Sequence, residues 1–168
     1  VTLNQGDLDQ DAGYYQQSLE MGQELGSTYA IALLHNNMGA VALQRDEPEE
    51  ALMLLRKSLE LFQDIGSSDF LSEIYRHLAL AHLGRAKLDE AMDCAQRSLA
   101  LAQEQELYLE EGIARRVLGQ VHLAHQGAHI AQAERELRAS LRILRELNSR
   151  YETGKTLFQL ARLHRIRG

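Results

Sequence analysis

Apolar positions along this chain recur at three- and four-residue steps, in blocks separated by short polar breaks. The clearest block is His35 to Gly66, HNNMGAVALQRDEPEEALMLLRKSLELFQDIG. Small and apolar residues run as far as Gln44, residues 45–47 are polar, and Pro48-Glu49-Glu50 opens a new element. Proline suits a first helical position because the N–H it lacks would be unpaired there, and acidic residues favour the positive end of the helix dipole. Ala51, Leu55, Leu59 and Phe62 then mark one apolar stripe on one face. Gly66 supplies the left-handed residue that closes a helix. The block reads as one helical hairpin.

The same pattern returns along the whole chain. The terminators Gly26, Gly66, Glu106 and Asn148 fall 40, 40 and 42 residues apart. Thirteen residues after each sits a small residue, Gly39, Ala79, Gly119 and Ala161, and each follows an apolar one, Met38, Leu78, Leu118 and Leu160. Ser18-Leu19, Ser58-Leu59, Ser98-Leu99 and Ser140-Leu141 keep that register, and so do the small residues Ala32, Ser72, Gly112 and Gly154. Columns held in register identify an internal repeat. The two extra residues of the last interval fall in the turn around His125 to His129, where an insertion costs little. Small residues let two helix backbones approach closely. Gly112, Gly119 and Gly154 therefore read as helical glycines whose cost, about 1 kcal/mol each relative to Ala, is offset by close packing.

The predicted helices cover 8–25, 28–44 with 48–65, 69–84 with 88–105, 107–125 with 129–147, and 150–166. Connections of two to four residues make consecutive helices antiparallel neighbours. The chain divides into a partial first repeat (1–26), repeats at 27–66, 67–106 and 107–148, and a terminal helix (149–168), all in one array. Its start at Val1 falls in mid-pattern, which leads us to expect a piece of a longer polypeptide.

Composition changes the picture little. Hydrophobic residues make up 45% of the 168, but aromatics only 5% with no Trp, so Leu and Ala carry the core. The lone Cys94 cannot form an internal disulfide, nothing calls for an oxidising compartment, and the expected location is cytoplasmic. No apolar run approaches the roughly 20 residues that span a bilayer, so no membrane role is expected. The net charge of −6 argues against nucleic acid as a ligand.

Candidate chemistry is sparse. His122, His125 and His129 share one face of any continuous helix, as a zinc site would want, but Gly127 breaks that helix and no Cys lies near. His122 also falls in a column with His82 and His164, which favours a packing position and no metal. There is no metalloprotease, phosphate-loop or nucleophile-elbow motif. The serine column and Cys94 read as small core residues, and Glu49-Glu50 and Glu110-Glu111 read as helix starts. No catalytic residue and no cofactor is expected.

The quoted columns resemble the tetratricopeptide repeat. Met38-Gly39, Leu78-Ala79, Leu118-Gly119 and Leu160-Ala161 match its L-G step, while Ala51-x3-Leu55, Ala91-x3-Ala95 and Ala133-x3-Leu137 match its A-x3-F step. Gly6-Asp7-Leu8-Asp9 and Lys87-Leu88-Asp89-Glu90-Ala91 look like its inter-helix turn. The chain departs from the family at the Trp places (His35, Tyr75, Arg115, Leu157) and the Tyr places (Ala42, His82, His122, His164). It also lacks the closing Pro and has a period near 40. That longer period resembles the arrays of kinesin light chains and bacterial signalling regulators.

The resemblance implies an all-α, right-handed α-solenoid of antiparallel hairpins whose first helices line a concave groove. The first helices carry eight basic and five acidic residues, the remainder ten and nineteen, so the groove should be the more positive side. Its exposed residues are expected to be Asn36, Asn37, Arg76, His77, Arg116, Gln120, Lys155, Phe158 and Arg162. Asn36 and Asn37 would pair with a peptide backbone and the arginines with carboxylates. The implied function is non-catalytic binding of a protein or peptide, with an acidic segment favoured. The alternative is a structural spacer or self-association element within a larger signalling protein. Tyr14, Tyr15 and Leu19 should be partly uncovered for want of a preceding helix, which points to a homodimer or end-to-end packing.

Overall fold

A computed structural model describes residues 5–125 and 129–167, with the backbone alone for 5–13 and 16. Eight helices are formed among the described residues: α1 (Gln5–Glu24), α2 (Thr28–Gln44), α3 (Pro48–Asp64), α4 (Leu71–Gly84), α5 (Leu88–Glu104), α6 (Tyr108–His125), α7 (Ile130–Glu146) and α8 (Arg150–Arg167). They form an all-α solenoid of antiparallel hairpins, α2–α3, α4–α5 and α6–α7, with α1 and α8 at the two ends. No described helix is long and apolar enough to cross a membrane.

Every connection between helices whose residues are all described closes through a left-handed residue. Gly26, Gly66, Glu106 and Asn148 have φ of 64, 66, 54 and 54°, so the terminator column of the sequence is a column of backbone conformation. Asp46 and Ala86 do the same within hairpins, at 61 and 54°. The following amide reaches back to close the helix end, as Ser67 N–H does to Phe62 O at 2.9 Å and Leu107 N–H to Ala102 O at 2.8 Å. The insertion expected within 125–129 lies largely at 126–128, outside the described residues.

Two helix starts differ from expectation. Gly6 to Asp9 lies inside α1, which begins at Gln5, so it is not a turn. Helix α4 begins at Leu71 because Phe70, at φ 58°, is left-handed and cannot extend the helix backwards. The Phe70 ring instead packs 5.9 Å from Phe62, which Tyr29 meets edge-on at 5.4 Å.

The small columns fill the hairpin seams. A Cβ at Gly39 would lie 2.7 Å from Leu55 on α3, and one at Gly119 would lie 2.7 Å from Leu137 on α7. At Gly112 the intruding neighbour is Leu144, 2.8 Å away. Glycine is required at these crossings because a facing leucine occupies the space of the missing methyl group. Gly154 corrects the expectation: nothing lies within 4 Å of its added Cβ. Among the described residues no helix follows α8 to meet it.

The serine column is buried for the same reason. Ser58 Oγ donates to Ala32 O at 2.7 Å, Ser72 Oγ to Ser98 O at 2.9 Å, and Ser140 meets Thr156 at 3.1 Å. A buried hydroxyl is tolerated only when it is bonded. Ser18, in α1, is exposed and bonds back to Tyr14 O in its own helix. Leu19 is buried against expectation, while Tyr15 is half-buried and Tyr14 exposed.

Candidate protein-interaction surface

The first helices α2, α4, α6 and α8 stand side by side, each touching the next. Equivalent positions one repeat apart thus face a neighbouring helix as well as solvent. Polar side chains use that proximity to stitch each first helix to its successor. Asn36 Nδ2 on α2 donates to Glu73 Oε1 on α4 at 2.8 Å. Its Oδ1 is left as an acceptor, so the 3.1 Å contact with His77 Nδ1 has the ring nitrogen donating. On the next interval Arg76 Nε donates to Glu110 Oε2 at 3.3 Å. On the last, Arg116 binds the Glu152 carboxylate and also the Glu152 carbonyl at 3.2 Å.

These contacts correct the expected exposure of several groove residues. Asn36, His77 and Arg116 are buried, while Asn37, Arg76 and Gln120 are half-buried. Lys155, Phe158 and Arg162 are exposed as expected. Arg76 and Arg116 are bound neither to Glu73 nor to Glu111 in their own helices; each is paired across the stack to the following first helix. Replacing Arg116 with Glu would set two carboxylates against each other in a buried site, so that change is disruptive to folding and cannot probe ligand binding.

Electrostatics follow from this stitching. Burial pushes the His77 pKa well below the ordinary imidazole range, and Arg76 and Lys155 push it the same way, so the ring is neutral. Burial pushes the Glu152 carboxyl up, but Arg116 and Lys155 together outweigh it and hold the group below its usual value. Lys155 Nζ lies 3.4 Å from Glu152 Oε1 and 4.3 Å from the Tyr151 ring centroid.

The column Asn36, Arg76, Arg116 continues to Phe158 on α8, the last described helix. Phe158 is 64% exposed, and Tyr151, two turns earlier, is 72% exposed. Between α6 and α8 they border a cleft of about 650 Å³ whose wall includes Arg116, Gln120, Arg150 and Lys155. Four of the nine expected groove residues are thus gathered here: Arg116, Gln120, Lys155 and Phe158. Arg162 bonds Gln159 at 3.1 Å, and Asn36, Asn37, Arg76 and His77 belong to the earlier part of the stack. Sequence reading missed Arg150 and Tyr151, although Tyr151, Lys155 and Phe158 share one face at helical spacing.

The three histidines do meet at the α6–α7 junction. His122 Nδ1 lies 3.2 Å from His129 Nδ1, and the His125 and His129 rings stack at 4.8 Å. No cluster of His, Cys, Asp or Glu among the described residues is arranged to hold a metal ion. Burial and the neighbouring His129 lower the His122 pKa, although Glu136 opposes them.

A stack of helical hairpins without strands among the described residues, bound only by nearest-neighbour contacts, defines a helical-repeat scaffold. Residues 29–104 match the tetratricopeptide repeat family model, and that family is generally a protein–protein interaction module. By fold the chain is similar to the crystal structure of BtubC (BKLC) from P. vanneervenii, with a TM-score of 0.71 and 24% sequence identity. That likeness covers 85% of this chain and 59% of the other, so this chain spans less than two thirds of its neighbour's length. Among curated proteins none matches.

Proposed function

We propose that the chain is a non-catalytic binding module whose α6–α8 cleft receives a segment of a partner protein. The observation that carries this reading is the pairing of two exposed aromatics, Tyr151 and Phe158, with Arg150 and Lys155 around one cleft. Exposed aromatic anchors beside cations are the usual composition of an interaction hot spot. Arg76 and Arg116 already have carboxylate partners inside the stack, so they hold the groove's shape. The more exposed cations, Arg150 and Lys155, come from α8, with Lys155 held only by a long 3.4 Å contact to Glu152. The favoured ligand is an acidic segment in which an apolar or aromatic side chain stands next to a carboxylate.

A second cleft, of about 660 Å³, lies on α3 between His35 and Arg85. It has no exposed aromatic, and four of its five Lys, Arg and Glu residues pair locally, Arg85 with Glu49 at 2.8 Å and Lys57 with Glu60 at 2.9 Å. It serves as the control surface. The test is a displayed library of short peptides, followed by anisotropy titration of the selected sequences. Selected peptides should be acidic and aromatic, and Phe158→Ala and Lys155→Glu should each weaken them about tenfold, or about 1.4 kcal/mol. Met53→Ser, in the α3 cleft, should change nothing. Undiminished binding to Phe158→Ala and Lys155→Glu in folded protein would overturn the proposal.

A further inference from the structure

Along one edge of the array the inter-repeat turns form an apolar, acidic strip. We infer that this strip docks a basic segment of another protein, one whose Lys or Arg residues are interspersed with large apolar side chains. The inference is independent of the cleft reading, because none of its residues lines that cleft. The strip is built from the α3–α4 turn with Tyr29, and from the α5–α6 turn. Each of these turns has a described turn on either side, so its exposure does not come from an end of the chain.

The two turns are joined side by side. Gln105 Nε2 donates to Ser68 O at 3.4 Å, and Tyr29 OH donates to Asp69 Oδ2 at 3.2 Å. Tyr29 and Asp69 are equivalent positions one repeat apart, so such positions touch along this edge. The same register sets Leu109 beside Asp69. Phe70 packs its ring on Phe62 yet stays exposed, as do Tyr29 and Ile65. Leu107, Tyr108 and Leu109 are 41, 59 and 46% exposed. Successive helical residues point about 100° apart, so a helix start with three consecutive large apolar residues cannot bury them all. Contiguous apolar surface rimmed by polar groups marks a protein contact.

Charge selects the partner. Asp64, Asp69, Glu104 and Glu106 are all exposed on these turns, and no Lys or Arg occurs within residues 58–75 or 98–114. None of the four pairs with a cation among the described residues. Asp64 and Glu104 are the last residues of α3 and α5, where an acidic side chain opposes the helix dipole, and neither helix has a basic residue in its last turn. A cation brought by a partner relieves both oppositions at once. Nucleic acid and anionic membrane are repelled by the same carboxylates, and a second copy meeting edge to edge would set like charges together.

The probe is a labelled peptide of about twelve residues, Lys alternating with Leu and one Trp, long enough at about 3.3 Å per residue to cross both turns. Its counterpart with Glu for Lys is the control. Anisotropy titration of the 168-residue chain should show the Lys peptide bound at least tenfold more tightly than the Glu peptide. Asp64→Lys with Glu104→Lys should weaken the Lys peptide about tenfold, and so should Leu109→Ser alone. Lys is favoured at a helix C-terminus and Leu109 is exposed, so these variants should fold as the parent does by circular dichroism. Phe158→Ala, in the α6–α8 cleft, should leave this binding unchanged. Amide shifts on titration should cluster at residues 64–70 and 104–109. Equal binding of the two peptides, shifts clustered elsewhere, or full affinity in Leu109→Ser would each overturn the inference, the last by reducing it to charge attraction alone. A dimer of the free chain that Leu109→Ser abolishes would also overturn it, by giving this edge to a second copy.

Discussion

The small-residue columns make a contrast that a pair of methyl groups can measure. Gly119→Ala and Gly154→Ala are the same chemical change in the two small-residue columns, one in α6 and one in α8. In a helix interior the added methyl group contributes about 1 kcal/mol through backbone propensity. At Gly154 nothing lies within 4 Å of the new Cβ, so that gain is kept whole. At Gly119 the Cβ would stand 2.7 and 2.8 Å from Leu137 Cγ and Cδ2, and 3.4 Å from the Ala133 carbonyl oxygen. Leu137 is fully buried and its Cγ is not a free end, so the seam must open. Overpacking of this kind costs roughly 1–3 kcal/mol. The net expectation is a loss of about 1 kcal/mol at 119 against a gain of about 1 at 154. Between the two variants the melting temperatures should differ by about 4–8 °C for a chain of this size. Urea denaturation at concentrations where the chain is monomeric gives the same contrast independently of heat. Equal stabilisation by both substitutions would refute the argument that a facing leucine fixes this column.

Other consequences are as direct. Ala86→Gly and Glu106→Gly should each stabilise by about 0.5–1 kcal/mol in denaturant melts, since both residues are L-amino acids held left-handed. Glu152→Gln leaves the buried Arg116 without its counter-charge and should cost about 2–3 kcal/mol, less than for a wholly buried pair because Glu152 is partly wetted. Because the folded-state pKa of His77 is lowered, its contribution to stability is intact above the unfolded value near 6.5 and is lost as pH falls below it. His77→Gln should flatten the stability-versus-pH slope in that window, and an unchanged slope would exclude His77 as its source. Tm series between about pH 7 and pH 5 read this directly.

Much of the fold was legible because its determinants are local. Gly66 and Gly26 announce left-handed closure by residue type, and Glu106 and Asn148 could be placed only because they fall in the same register. The seams at Gly39 and Gly119 were legible for the same reason. The interaction surface was less so. Helical periodicity identifies which residues share a face, but in a stacked array one side of that face meets the next first helix. Arg76 and Arg116 therefore read as solvent-facing, while their partners Glu110 and Glu152 lie 34 and 36 residues on, in another helix. A signal was present in the register. Arg76 and Arg116 are one repeat apart, and so are Glu110 and Glu152, which marks a donor column and an acceptor column. Gly154 was misread for a different reason: it belongs to a packing column by sequence, and only its surroundings show that nothing packs there.

The stitching of first helices also has a mechanical side. Each link joins neighbours only, through one or two polar contacts per interval, whereas the hairpin seams are filled with interlocked apolar side chains. Under tension along the stack the links should part before the seams, so the array would lengthen like a spring before any hairpin unravels. The softest coil would be the Arg76–Glu110 interval, whose 3.3 Å contact is a single, partly wetted bond, and the stiffest the doubly held Arg116–Glu152 interval. A segment seated between α6 and α8 would thus rest on the least extensible part of the array, while the earlier turns take up the strain.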